Sequence, residues 1–343
     1  MRLASLARLD FLAPLDAVRS ALYRALAPWL RGLYADRPRR VAWMGALSVG
    51  TSFALVLAAP LWVLALGPVL LGVPHLVADL RYLVVKPGLH RHLAPASLAA
   101  ACLVAVGFGA PSVVGLFAMV PAVLAARAGG WKKGLALGVW LVLSVCAWRD
   151  EYAFLLAFLH AHNLLALALW WRVRPRDGRA AVTVLLVLAG AAALLFGLGD
   201  GVIATLGGFS SPGTGTDFTE LVASIAPDVE PTLALHLVLS FAFLQSVHYA
   251  LWVRLIPEDA RERPAPRTFR ASLQALAQDF GRPLLALACL VALGIAVWGA
   301  FDLPGARWGY LRLATFHGYL ELAAGAWLWL EGRRPALRPE VAR

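Results

Sequence analysis

Along this chain long, unbroken apolar runs alternate with short polar or basic loops. A run of about 20 apolar residues crosses the roughly 30 Å hydrocarbon core of a bilayer as a helix. By length and flanks, the pattern predicts ten such helices, at about 41–66, 69–85, 94–110, 111–126, 133–148, 151–172, 180–198, 231–254, 283–301 and 309–330. The expected fold is therefore all-α, a polytopic integral membrane protein. Residues 1–40 precede this 41–330 domain as a basic segment, and 331–343 follow it as a basic tail.

Composition agrees, because 60% hydrophobic and 15% charged residues exclude an ordinary soluble domain. The net charge of +11 would suit nucleic acid, but its placement gives a different reading. With both termini inside, only Arg149, Arg307 and Arg312 fall outside, so 31 − 3 = 28 basic residues face the cytoplasm. That is the asymmetry expected of a bacterial-type inner (cytoplasmic) membrane protein, whose partners include anionic lipid headgroups and not nucleic acid. Residues 1–40 spread Arg among Leu, Ala and Phe without a cleavage site, which predicts an amphipathic helix on the inner leaflet. Cys102, Cys146 and Cys289 lie in apolar runs and form no ligand motif. The longest outer stretch, 199–230, reads as loop, with "DFTELVASIA" as a short capped helix; an ordinary connector is the simpler reading and a lid the alternative.

Chemistry must then sit inside the membrane, where ionisable side chains are costly and mark function. Six of the eight histidines fall in apolar runs: His75, His160, His162, His236, His248 and His317. His75 and Asp79 are i and i+4 on one helix, and His317 and Glu321 repeat the spacing on the last, so two helices each present a His–carboxylate pair on one face. In "HAHN" His160 and His162 point to nearly opposite faces, so one of them is expected to share a cluster. Converging neutral imidazoles suit a transition metal, with carboxylates as ligands or as acceptors that orient the imidazole N–H. The ligands expected are His75, His160, His248 and His317; Asp79, Glu321 and Tyr249 are the candidate catalytic groups. Counting about 1.5 Å per residue from the outer ends puts His75, His160 and His317 roughly 9 to 14 Å down and His248 near 25 Å, which makes His236, near 7 Å, a rival, as His162 is to His160. Arg81 is expected to snorkel to cytoplasmic headgroups, so that Arg81→Lys is nearly silent.

"GVPHLVAD", "PTLALHLVLSFAFLQSVHYALW" and "LATFHGYLELAAG" together resemble motifs of the bacterial Brp/Blh-type β-carotene 15,15′-dioxygenase family, over about 60 of 343 residues. The resemblance implies a multi-span iron(II) enzyme that cleaves β-carotene to retinal with molecular oxygen, with His75 and Asp79, His248 and His317 at matching positions and His160 loosely at a middle one. This chain departs from the family pattern at Trp252, where a second histidine is usual, at Leu76, where Gly is, and at Phe316, where Pro is. Two classes follow: an intramembrane non-haem iron oxidoreductase of a lipid-soluble substrate, or a haem-binding electron carrier or proton-coupled transporter.

Overall fold

The computed structural model describes residues 12–173, 178–209, 217–261 and 265–332. Residues 1–11 of the N-terminal segment and 333–343 of the tail lie outside these, so those parts of the expectation do too. The described chain is helical, with no strand. Seven of its helices are long and apolar enough to cross a membrane, so the protein is an α-helical membrane protein.

After α1 (Ala13–Ala35) come α2 (Arg37–Ala58) and α3 (Pro60–Asp79), whose helical path continues to Val85 through a π-helical segment, Leu80–Val85. The expected boundary between 66 and 69 falls instead at Ala59, where the backbone leaves the helical region. Pro60 then opens α3, as proline does at a first turn where its missing N–H costs nothing. The expected helices at 94–110 and 111–126 are short: α4 (Leu93–Gly107), then α5 (Ser112–Leu116) and α6 (Met119–Ala125). At about 1.5 Å per residue, α4 covers roughly 22 Å, less than a bilayer core.

Next are α7 (Gly130–Arg149), α8 (Glu151–Val173) and α9 (Gly178–Leu195). The connector then holds α10 (Asp200–Thr205) and α11 (Phe218–Ile225), the latter where a short helix was expected. α12 (Pro231–Ala250) is capped by Glu230, which accepts from the N–H groups of Thr232 and Leu233; these bonds hold that exposed carboxyl below its usual pKa. α12 passes through a second π segment, Leu251–Leu255, into α13 (Ile256–Asp259). α14 (Phe269–Phe280), α15 (Arg282–Phe301), α16 (Leu303–Ala314) and α17 (Phe316–Leu330) complete the chain, the last two separated only by Thr315.

α12 is the central post, packed on α2, α3, α8 and α9, and α17 packs on α4, α6 and α8. Small residues allow close approach, as membrane helices require in the absence of a hydrophobic drive between them. A Cβ on Gly190 would lie 2.8 Å from the Phe243 ring, so only glycine lets α9 and α12 meet there.

Candidate metal centre

Four helices deliver one histidine each to a common point. His75 (α3), His162 (α8), His248 (α12) and His317 (α17) form a ring with centroid separations of 5.3 Å for His75–His248, 5.1 Å for His248–His162, 5.1 Å for His162–His317 and 5.0 Å for His317–His75. One nitrogen from each of His75, His248 and His317 lies within 4.8 Å of the others. That is close to the roughly 4.4 Å that two metal–ligand bonds of about 2.2 Å can bridge.

Local structure aims these rings. His162 Nδ1 meets the Phe158 carbonyl at 3.3 Å, one turn back on α8, and His317 Nδ1 meets the Ala314 carbonyl. α16 ends at Ala314, which leaves its last carbonyls without helical partners and makes that acceptor available. Donation from Nδ1 leaves Nε2 free to point inward, the arrangement that fixes a metal-binding imidazole. His75 Nδ1 faces the Tyr310 hydroxyl at 3.4 Å, and Gly72 makes this possible, because a Cβ there would lie 2.3 Å from the Tyr310 ring.

The carboxylates sit beside the rings, both fully buried. Asp79 Oδ2 is 4.0 Å from His75 Nε2, and Glu321 Oε1 is 3.7 Å from His248 Nε2. Glu321 also accepts from the Trp252 indole N–H at 2.8 Å. One π segment begins just past Asp79, at Leu80, and the other just past His248, at Leu251, and such segments are frequent near functional sites.

Much of this polarity lacks a partner. His75 Nε2, both nitrogens of His248, both oxygens of Asp79 and Glu321 Oε2 are buried without a hydrogen bond. Two buried carboxylates are costly unless a cation faces them. Neither forms an ion pair with Lys or Arg among the described residues. A divalent cation bound by the imidazoles would meet both needs, so the residues present fit a metal.

A cavity of about 340 Å³ leads away from the cluster between α8, α12, α16 and α17, with His162, His248 and His317 at its inner end and walls such as Leu155, Leu159, Phe241 and Leu311. Ser224 and Ile225 of α11 also line it, so the connector expected to be ordinary covers this cavity. Tyr249, expected as a catalytic group, lines it too, with its ring 4.7 Å from that of His75.

His75, His248 and His317 thus come together as expected, with Asp79, Glu321 and Tyr249 around them. His160 does not: its two ring nitrogens each lie 3.1 Å from a carbonyl, of Leu156 and of Leu237, so it ties α8 to α12 while His162 takes the fourth place. His236 pairs with Asp200 at 2.8 Å and is no rival to His248. The depth argument against His248 failed at the helix starts. Counted from Pro60, Glu151, Pro231 and Leu303, the four histidines lie 15, 11, 17 and 14 residues along, roughly 17 to 26 Å, a range that helix tilt closes so that their rings meet. Arg81 is buried and ion-paired to Asp279 of α14 at 2.6 Å, so it does not snorkel. Sequence reading also missed Tyr310, for which the only signal is Gly72, a glycine inside an apolar helix. Protein-family models, curated proteins and solved structures were all compared with the chain, and none matches.

Proposed function

We propose that the protein is an intramembrane non-haem metal oxidoreductase, a dioxygenase in the reading that the sequence resemblance favours, with iron(II) as the metal and a lipid-soluble substrate. One observation carries this reading: four imidazoles from four helices cluster with unpartnered buried carboxylates, and three of them, His162, His248 and His317, line the inner end of an apolar cavity. His75, His162, His248 and His317 would hold the iron, which would supply oxygen-activating redox chemistry beside an apolar chain.

The rest is done by the protein. The carbonyls of Phe158 and Ala314 fix His162 and His317, Tyr310 positions His75, and Trp252 holds Glu321 against His248. The departure at Trp252 replaces an imidazole by a hydrogen-bond donor that anchors a carboxylate. The apolar walls admit a lipid chain and exclude bulk water, which strengthens every polar contact at the closed end. Haem fits poorly, because rings packed at 5.0 to 5.8 Å leave no slot for a macrocycle between them.

Metal analysis and absorbance test the reading. The purified protein is expected to retain iron and to show no Soret band. His162→Ala should lower bound metal sharply, whereas His160→Ala, although it changes the same helix two residues away, should leave it near wild type. Equal loss in both variants, or none in either, removes the shared site. If substrate follows the resemblance, cells making β-carotene should bleach and accumulate retinal in a His75-dependent way.

A further inference from the structure

The cavity holds one residue that a purely hydrocarbon substrate does not need. Arg307 of α16 is only 4% exposed, yet it lines the same apolar cavity as His248 and His317. Its Nε donates to the Leu64 carbonyl at 3.1 Å, and its guanidinium carbon stands 5.3 Å from the centre of the Trp308 ring. Among the described residues it forms no ion pair, and its two terminal nitrogens have no acceptor. They are not sealed in the protein either, since buried atoms without a partner include none from Arg307. A guanidinium carries five donors in a fork that matches a carboxylate. One held in apolar surroundings without a counter-charge costs free energy that an anionic ligand would offset.

We infer that the occupant of this cavity is a long-chain amphiphile with a carboxylate end, such as a fatty acid or an acid-ended polyene, and that Arg307 binds that end. Arg307 and Tyr310 are i and i+3, on one face of α16, and the Tyr310 hydroxyl touches His75. Arg307 precedes His317 by ten residues, roughly 15 Å of helical rise. A chain anchored at Arg307 therefore presents mid-chain carbons to the histidines, not those next to the acid. Its relevance to turnover rests on the metal reading above. β-Carotene, which lacks a polar end, makes no use of this anchor.

The test is direct binding of radiolabelled oleic acid and oleyl alcohol to the full-length protein in nanodiscs of neutral lipid. A charge-assisted pair of this kind should favour the acid by about 10- to 100-fold. Arg307→Gln should reduce that preference to near one, and Arg307→Lys, which keeps the charge and guards against simple misfolding, should retain part of it. Equal binding of acid and alcohol to the wild type overturns the inference and leaves Arg307 as an interfacial anchor. A preference that survives in Arg307→Gln overturns it as well. Because retention of ligand is read, not metal or turnover, His75→Ala should keep the preference while losing metal, which separates this inference from the metal reading.

Discussion

α3 and α15 are both opened by a proline in the first turn and both strongly apolar, α15 the more so, yet they end in opposite places. Twelve residues of α3 are buried, whereas in α15 only Ile295 is, and Leu284, Leu287, Leu290 and Leu293 are exposed. In water the greasier helix would be the inner one. In a bilayer, lipid tails receive leucine as well as a protein core does, so hydrophobicity does not decide which helix is central. Polar groups decide it, because they find partners only among other helices. α3 carries His75 and Asp79; from Pro283 to Phe301 α15 carries no ionisable group but Cys289.

The largest effect should come from exchanging matched positions on these helices. His75→Ala is expected to lower metal affinity by more than about 100-fold, since even losing a residue that only supports a ligand costs about 10- to 100-fold. Leu290→Ala, which removes the same number of carbons from a more apolar helix, should change neither metal content nor activity. A comparable loss from Leu290→Ala would mean that α15 packs on a partner and not on lipid, and the contrast would fail.

Next in size is a pair of glycines. At Gly72 on α3 a methyl would lie 2.3 Å from the Tyr310 ring; at Gly294 on α15 it would meet nothing within 4 Å. Gly72→Ala should cost about 1–3 kcal/mol by overpacking and should lower metal affinity too, because Tyr310 moves off His75. Gly294→Ala should be neutral or stabilising by up to about 1 kcal/mol, as Ala is the better helix former. Thermal melts in detergent with metal titration read both; a harmless Gly72→Ala would remove Tyr310 from the supports of His75.

This contrast also marks what was legible in the sequence. The apolar runs gave helices near their places, and the i, i+4 pairs His75–Asp79 and His317–Glu321 pointed to the cluster, because one helix fixes that geometry by itself. What failed needed a second element. Choosing between His160 and His162 requires the rotation of α8 about its axis, and an apolar helix offers lipid and protein much the same surface. Depth depended on helix starts, which uninterrupted apolar sequence hides; Pro60 and Leu303 moved two of them by nine and six residues, since 69 − 60 = 9 and 309 − 303 = 6. The contacts of Tyr310 with His75 and of Trp252 with Glu321 span 235 and 69 residues of chain, and no periodicity records them.

The smallest effect expected is at Arg81, beyond the polar half of α3. Its Nε and one terminal nitrogen both lie 2.6 Å from Asp279 Oδ2, and Lys86 approaches the same oxygen at 3.6 Å. The pair joins the helical path beyond α3 to α14, whose other neighbours include α1 and α15, so with Lys86 it ties the buried helix to the peripheral group. Lysine keeps the charge but lacks the fork, and Arg81 also contacts the Tyr82 hydroxyl at 3.4 Å. Lys86 already supplies part of the attraction to Asp279, which is itself partly open to solvent, so the cost should stay near 1 kcal/mol. Arg81→Lys should therefore lower the melting temperature slightly and expose α14 to limited proteolysis, while bound metal stays at the wild-type level. Loss of metal in this variant would show that α14 is coupled to the histidines through α3, and the division between a buried reactive helix and a lipid-facing one would have to be redrawn to include α14 with the first.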